Sequence, residues 1–242
     1  MLAIFKREFK AVLRSVSGFT FIALSIFFSG LLFAVINLAM CFPQLEMTFS
    51  FLTIPMSVLI PVLGATAFTS EIKNKTDGFL GMLPISNGDI FFGKLLARAA
   101  VVAVPTAVMA LYPVIIDFYG DANYTSSYLI LAMFFLFEFF VLIMSMMFSS
   151  MSKNSLVAYF MTFGTLLLTY FIPYITTWTA NAVEGAVAET ISSVCVFLSP
   201  FAQFDYFNVG IFDFRKVIWF CVFIATMAAL TYFRLCRKAK KM

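Results

Sequence analysis

The chain has 242 residues and a formal net charge of +4; 62% of its residues are hydrophobic, 12% are charged, and the mean hydropathy is +1.00. These apolar side chains exceed what the core of one soluble domain of this length can bury, so we predict an integral membrane protein. Histidine is absent and the four cysteines lie far apart. This excludes Ser/His/Asp and Cys/His catalysis and metal sites with histidine ligands, so we predict no catalytic residue, no cofactor and no metal.

The first predicted element is an amphipathic helix over residues 2–16. On a helix, its apolar residues fall within one arc of about 100° and its cations face the other way. A helix of this kind lies in the plane of the membrane interface. Two roles stay open for it, an anchor beside anionic lipid headgroups and a docking helix for a partner protein. The apolar residues are Leu2, Phe5, Phe9, Val12, Leu13 and Val16, and the cations are Lys6, Arg7, Lys10 and Arg14.

Six apolar segments follow, each long enough to cross the hydrocarbon core as a helix. The predicted fold is therefore an all-α bundle of six transmembrane helices. The first segment is longer than the apolar region of a signal peptide, and Met40 stands where cleavage would need a small residue, so we predict that it is retained. The predicted spans are about 19–40, 49–68, 95–116, 128–147, 156–175 and 217–233.

A seventh apolar stretch, residues 186–198, is shorter and contains Glu189. We predict a re-entrant or interfacial helix there, inside an extracellular element over residues 183–213. The distribution of charge supports this reading, because Lys and Arg concentrate on the cytoplasmic side of bacterial-type membrane proteins. With six spans and both termini in the cytoplasm, only Arg215 and Lys216 among the cations lie outside. A seventh span would expose the basic C-terminal tail, so we predict a multi-pass protein of the bacterial plasma membrane with both termini cytoplasmic.

The longest inner loop between spans covers residues 70–94 and reads SEIKNKTDGFLGMLPISNGDIFFGK. Its apolar cluster indicates a short amphipathic helix near residues 76–83, ended by Pro84, which either rests on a cytoplasmic partner or lies on the bilayer surface. The segment from Gly88 to Lys94 is close to a phosphate-binding motif. However, Leu95 stands where the motif needs Ser or Thr, and no strand precedes it. We therefore expect that the chain does not bind ATP itself and is not an enzyme.

Glu138 lies in the middle of the fourth predicted span, within FFLFEFFVLIMS. A charge buried in the bilayer there would cost about 3 kcal/mol even on the gentler insertion scales. We therefore expect Glu138 to face protein, to face water or to be protonated. Two roles stay open, a polar contact in a translocation pathway or subunit interface and a neutral carboxyl bonded to a neighbouring helix.

Three stretches of the chain carry motifs in an order that is shared with a known family. They lie in the inner loop from residue 71 to 97, in the turn from residue 148 to 158, and in the outer segment from residue 199 to 213. The matching residues are Lys75-Thr76-Asp77, Leu80, Pro84-Ile85-Ser86 and Gly93 to Ala97; Phe148 to Asn154 with Val157-Ala158; and Ser199-Pro200-Phe201, Phe204, Phe207 and Gly210 to Asp213. In this order and topology the chain resembles the ABC-2 family of export permeases, in particular its gliding-motility-type branch.

The resemblance implies a single permease domain over residues 1–242, paired with a second copy or a homologue and driven by separate ABC ATPase subunits. It makes the helix of the 70–94 loop a coupling helix that touches the ATPase. We therefore expect ATPase coupling contacts at Phe5, Phe9, Thr76, Asp77, Leu80 and Pro84, and a pathway or interface role for Glu138. Membrane lipids are the other expected partner, and no nucleic acid is expected. A non-transporting membrane immunity or scaffold subunit is the alternative function.

Overall fold

The computed structural model describes residues 1–73, 86–119, 123–182, 186–209 and 213–239, and every regular element in this part of the chain is helical. Six helices are long and apolar enough to cross a membrane, which confirms the predicted all-α bundle of six transmembrane helices. We number them spans 1 to 6. They run over Val16–Ala39, Glu46–Ser70, Asn87–Asp117, Tyr124–Met151, Ser155–Thr176 and Phe214–Arg237.

Three of these helices continue past the span, as Glu46–Lys73, Ser155–Ala182 and Phe214–Ala239. Span 1 changes from α-helix to π-helix at Phe33, and span 3 is interrupted between Met109 and Tyr112. Four shorter elements complete the described fold. They are the N-terminal helix Leu2–Arg14, the helices Ala186–Leu198 and Pro200–Asp205, and a 3₁₀ turn at Tyr206–Val209.

The N-terminal helix ends two residues earlier than predicted, because Ser15 begins a new helix. The hydroxyl of Ser15 accepts a hydrogen bond from the backbone N–H of Gly18 at 3.1 Å, as an N-cap does. Val16 therefore belongs to span 1, and its side chain is 84% exposed instead of continuing the apolar face of the first helix. We call the end of the bundle that carries the N-terminal helix the near end, and the opposite end the far end.

Spans 2 and 4 form the centre of the bundle. The most apolar stretch of each of these two spans is 61% buried inside the bundle, whereas the corresponding stretches of spans 5 and 6 are each only 17% buried. The two helices approach closely at Gly64, where a Cβ would lie 2.5 Å from the side chain of Ser145. Ser145 donates a hydrogen bond to the carbonyl of Pro61 at 3.0 Å, and Ser149 donates to that of Ala65 at 2.7 Å. Small and hydroxyl side chains thus bring these two spans together, as they often do in membrane bundles.

The segment between spans 5 and 6 starts and ends at the far end of the bundle and reaches the middle of span 4. Its first helix, Ala186–Leu198, has 13 residues and does not reach the length of a span. The short helix that follows buries Phe201 and Phe204, whose rings lie 5.4 and 5.6 Å from that of Phe137 in the middle of span 4. This aromatic cluster extends to Phe220 of span 6 and fixes the outer segment to the core.

Candidate functional site

The N-terminal helix is docked on the start of span 3 at the near end of the bundle. Gly93 makes room for it, since a Cβ at that position would lie 2.9 Å from Cγ2 of Ile4. Phe9 packs against the core, and its ring stacks on that of Phe5 with centroids 5.8 Å apart. The apolar face of this helix is therefore occupied at least partly by protein, while no residue of the helix is fully buried.

The opposite face of this helix carries its cations. Lys6, Arg7, Lys10 and Arg14 are all exposed. Leu2, on the apolar face, is 74% exposed as well, so protein covers that face only in part. Exposed cations beside an exposed apolar side chain suit either a lipid surface or a protein partner, which leaves both predicted roles open.

Two cations at the start of span 3 are buried inside the bundle. Lys94 is 1% exposed and Arg98 is 3% exposed. The ammonium of Lys94 donates a hydrogen bond to the carbonyl of Ala67 at 3.0 Å, and Nε of Arg98 donates to that of Leu63 at 3.1 Å. Both acceptors lie in span 2. The two cations therefore join the start of span 3 to the last turns of span 2.

Glu8 extends this connection to the N-terminal helix. Its Oε2 lies 3.8 Å from Nζ of Lys94 and 3.7 Å from Nη1 of Arg98, and its side chain is only 14% exposed. Burial alone would raise the pKa of Glu8, but the attraction of Lys94 and Arg98, together with a hydrogen bond from Arg7, outweighs it. The pKa of Glu8 therefore lies below its ordinary value of 4.5. We call Glu8, Lys94 and Arg98 the Glu8 cluster.

Four of the six predicted coupling residues, Thr76, Asp77, Leu80 and Pro84, lie outside the described residues. One described helix ends at Lys73 and the next begins at Asn87, so residues 74–85 and Ser86 lie between them in the chain. Ser86 caps the second helix by accepting a hydrogen bond from the N–H of Asp89 at 3.1 Å. The 74–85 segment thus connects the same two spans that the Glu8 cluster joins to the N-terminal helix.

Glu138 faces protein, which is one of the three environments expected for it. The residue is 0% exposed in span 4, and its Oε2 lies 2.7 Å from the hydroxyl of Thr106 in span 3. Its second oxygen has no hydrogen-bond partner among the described residues. Within this part of the chain, no group of three or more His, Cys, Asp and Glu residues is placed to hold a metal ion.

Comparison with known protein families gives a match over residues 2–239 to a family described as ABC-2 family transporter protein. The chain belongs to the ABC-2 transporter family. A search of curated proteins gave no match. Since the match includes the N-terminal helix and all six spans, this ABC-2 chain is a multi-pass membrane subunit of an ABC transporter, and its part in the transporter is transport and not catalysis.

Sequence reasoning on this ABC-2 chain missed the Glu8 cluster. It treated Lys94 and Arg98 only as part of the cytoplasmic excess of cations, which does not predict burial. Two signals were available: the cations are four residues apart at the start of an apolar span, and Glu8 is the only acid among the cations of the amphipathic helix. A carboxylate in that setting is a natural partner for two cations that enter a membrane helix.

Proposed function

We propose that this ABC-2 chain is the permease of an ATP-driven exporter, and that separate ATPase subunits bind it at the near end of the bundle. This end then faces the cytoplasm, with both termini on that side of the plasma membrane, in agreement with the excess of Lys and Arg there. Two permease subunits, identical or homologous, enclose the translocation pathway. We also propose that the chain belongs to the gliding-motility-type branch of the ABC-2 family.

One observation supports this proposal most strongly. The Glu8 cluster links the N-terminal helix to the ends of spans 2 and 3, between which residues 74–85 lie. A partner that presses on the N-terminal helix or on the 74–85 segment therefore acts on connected helices. In this proposal Phe5, Phe9, Thr76, Asp77, Leu80 and Pro84 are the contacts with the ATPase, and the chain itself holds no nucleotide.

Purification from the native host in mild detergent tests this function. We expect the permease to bring down a polypeptide with nucleotide-binding motifs in stoichiometric amount, and the complex to hydrolyse ATP. Recovery of the permease without any ATPase would instead favour a non-transporting immunity or scaffold subunit.

A pair of substitutions then tests the coupling contacts. Asp77→Ala with Leu80→Ala should reduce ATPase binding or permease-dependent hydrolysis at least tenfold. Tyr119→Ala is the matched control, because this side chain is 81% exposed at the far end of the bundle and should have no effect. Unchanged binding and hydrolysis in the double variant would remove the coupling role of these residues.

A further inference from the structure

Span 3 contains a weak point at Pro105, which is buried four residues before the end of the helix Asn87–Met109. Proline has no backbone N–H, so the carbonyl of Val101 receives no helical hydrogen bond from position 105. Helices bend most readily where such a bond is missing. Pro105 therefore divides span 3 into an inner half, which begins at Asn87, and an outer half, which ends at Asp117.

The polar contacts of span 3 change partners at this proline. In the inner half, Lys94 and Arg98 join span 3 to span 2 and to Glu8 of the N-terminal helix. The residue directly after Pro105 is Thr106, whose hydroxyl lies 2.7 Å from Glu138 of span 4. The inner half is thus fastened to the helices at the near end, and the outer half to a central helix of the bundle.

A second contact fastens the outer half, this time to span 1. The hydroxyl of Tyr112 donates a hydrogen bond to Oγ of Ser29 at 2.9 Å, and its ring stacks on that of Phe33 with centroids 4.2 Å apart. Ser29 and Phe33 are both buried. The polar contacts of the outer half therefore go to spans 4 and 1, one on each side of the interruption between Met109 and Tyr112, and not to the helices that hold the inner half.

We propose that Pro105 is a hinge in span 3 and that Glu138 is the positioning residue that holds the outer half against span 4 while the inner half moves with the N-terminal helix. The source of the motion, ATP binding by a partner, rests on the proposed function. The hinge and its fastening rest on the contacts of span 3 described above and do not depend on the proposed function.

Glu138 suits this role as a neutral carboxyl. The hydroxyl of Thr106 has one hydrogen and lies near two acceptors, Oε2 of Glu138 at 2.7 Å and the carbonyl of Val102 at 3.1 Å. A protonated Glu138 can donate to Thr106, which then donates to Val102, so that both contacts are satisfied. An ionised Glu138 would instead be a buried charge with a single neutral partner, which is unfavourable.

The elements packed around Glu138 carry few charged residues away from their helix ends. Arg98 is eight residues before Thr106, or roughly 12 Å along the helix, and span 5 has no charged residue. The remaining charged residues of the neighbouring helices lie at or near the helix ends; they are Glu46, Glu71, Lys73, Asp89, Lys94, Asp117, Asp205, Arg215, Lys216, Arg234, Arg237 and Lys238.

Spin-label distances in the permease–ATPase complex, reconstituted in nanodiscs, test the hinge. Labels replace exposed residues of a chain without its native cysteines: Leu96 and Met151 report the inner half of span 3 against span 4, and Val108 and Thr125 report the outer half. We expect ATP to change the inner distance and leave the outer one unchanged. Equal changes in both pairs, or a change in the outer pair alone, would overturn the hinge.

Three substitutions test the fastening by Glu138. Glu138→Leu and the smaller change Thr106→Val both remove the hydrogen bond, so the outer distance should broaden in either variant even without nucleotide. Glu138→Gln keeps a donor and an acceptor and should behave like the unmodified chain. An outer distance that stays sharp in Thr106→Val, or broadens equally in Glu138→Gln, would overturn the role of Glu138.

Failure of this inference is separable from failure of the proposed function. If no ATPase binds the permease, the proposed function fails, while the nucleotide-free distances still decide whether Glu138 holds the outer half. If an ATPase binds and hydrolyses ATP but neither distance responds, the proposed function stands and the hinge is wrong.

Pro105→Ala restores the missing N–H and should stiffen span 3 at this point. In this variant ATP should change the distance of the outer label pair together with that of the inner pair.

Discussion

Removing the negative charge of Glu8 should loosen the N-terminal helix from the bundle. Glu8→Gln keeps the size of the side chain but takes away the carboxylate that lies 3.8 Å from Lys94 and 3.7 Å from Arg98. At an effective dielectric constant of about 20, each attraction is worth about 4 kcal/mol before desolvation is counted. Desolvation cancels most of this sum, and both cations keep their carbonyl partners, so we expect a net loss of about 1–3 kcal/mol.

The matched control is Arg7→Gln, because Arg7 is the third cation near the carboxylate of Glu8. Arg7 lies 3.0 Å from Oε1 of Glu8, but its side chain is 59% exposed, so Arg7→Gln should cost less than about 1 kcal/mol. The free energy of unfolding is measured by reversible denaturation of the permease in mixed micelles. If Glu8→Gln costs no more than Arg7→Gln, the buried cations do not depend on Glu8 and the cluster does not hold the N-terminal helix.

Two further predictions concern acid and the contact between spans 2 and 4. Because the pKa of Glu8 is lower in the folded protein than in the unfolded chain, its contribution should be complete above about pH 4.5 and disappear as the pH falls through the lowered pKa. The stability difference between the unmodified chain and Glu8→Gln should therefore be constant near neutral pH and shrink in acid; a difference that grew in acid would contradict the assignment. Gly64→Ala forces a Cβ to within 2.5 Å of Ser145 and should destabilise by about 1–3 kcal/mol. Gly164→Ala should not, because beyond the backbone of its own helix the added Cβ meets nothing within 4 Å. If both alanine variants lose the same free energy of unfolding, spans 2 and 4 can move apart to admit the Cβ, and their close contact at Gly64 does not stabilise the bundle.

The six spans were predictable because each depends only on local composition. About 20 apolar residues must form a helix in lipid, whatever the rest of the chain does. The end of the N-terminal helix was less predictable, because the apolar pattern continues through Val16. The turn is made by Ser15, whose hydroxyl caps span 1, and a capping serine inside an apolar pattern gives a weak signal.

The partners of buried polar groups could not be read from the sequence. The cost of burial correctly indicated a special environment for Glu138, yet its partner Thr106 lies 32 residues away on another span. The partners of Lys94 and Arg98 are backbone carbonyls in span 2 and the carboxylate of Glu8. Glu8 lies more than 80 residues before both cations in the chain. Such contacts depend on which helices pack against each other, and the local composition of the sequence does not determine this.

The most direct test of the account is to ask what touches the 74–85 segment in native membranes. A single cysteine is introduced by Leu80→Cys in a chain without Cys41, Cys195, Cys221 and Cys236, and a thiol-to-amine crosslinker joins it to its neighbours. Tyr119→Cys at the far end is the control. We predict that position 80 captures a polypeptide with ATPase motifs and that position 119 does not. Capture from both positions, or from neither in a complex that hydrolyses ATP, would contradict the account.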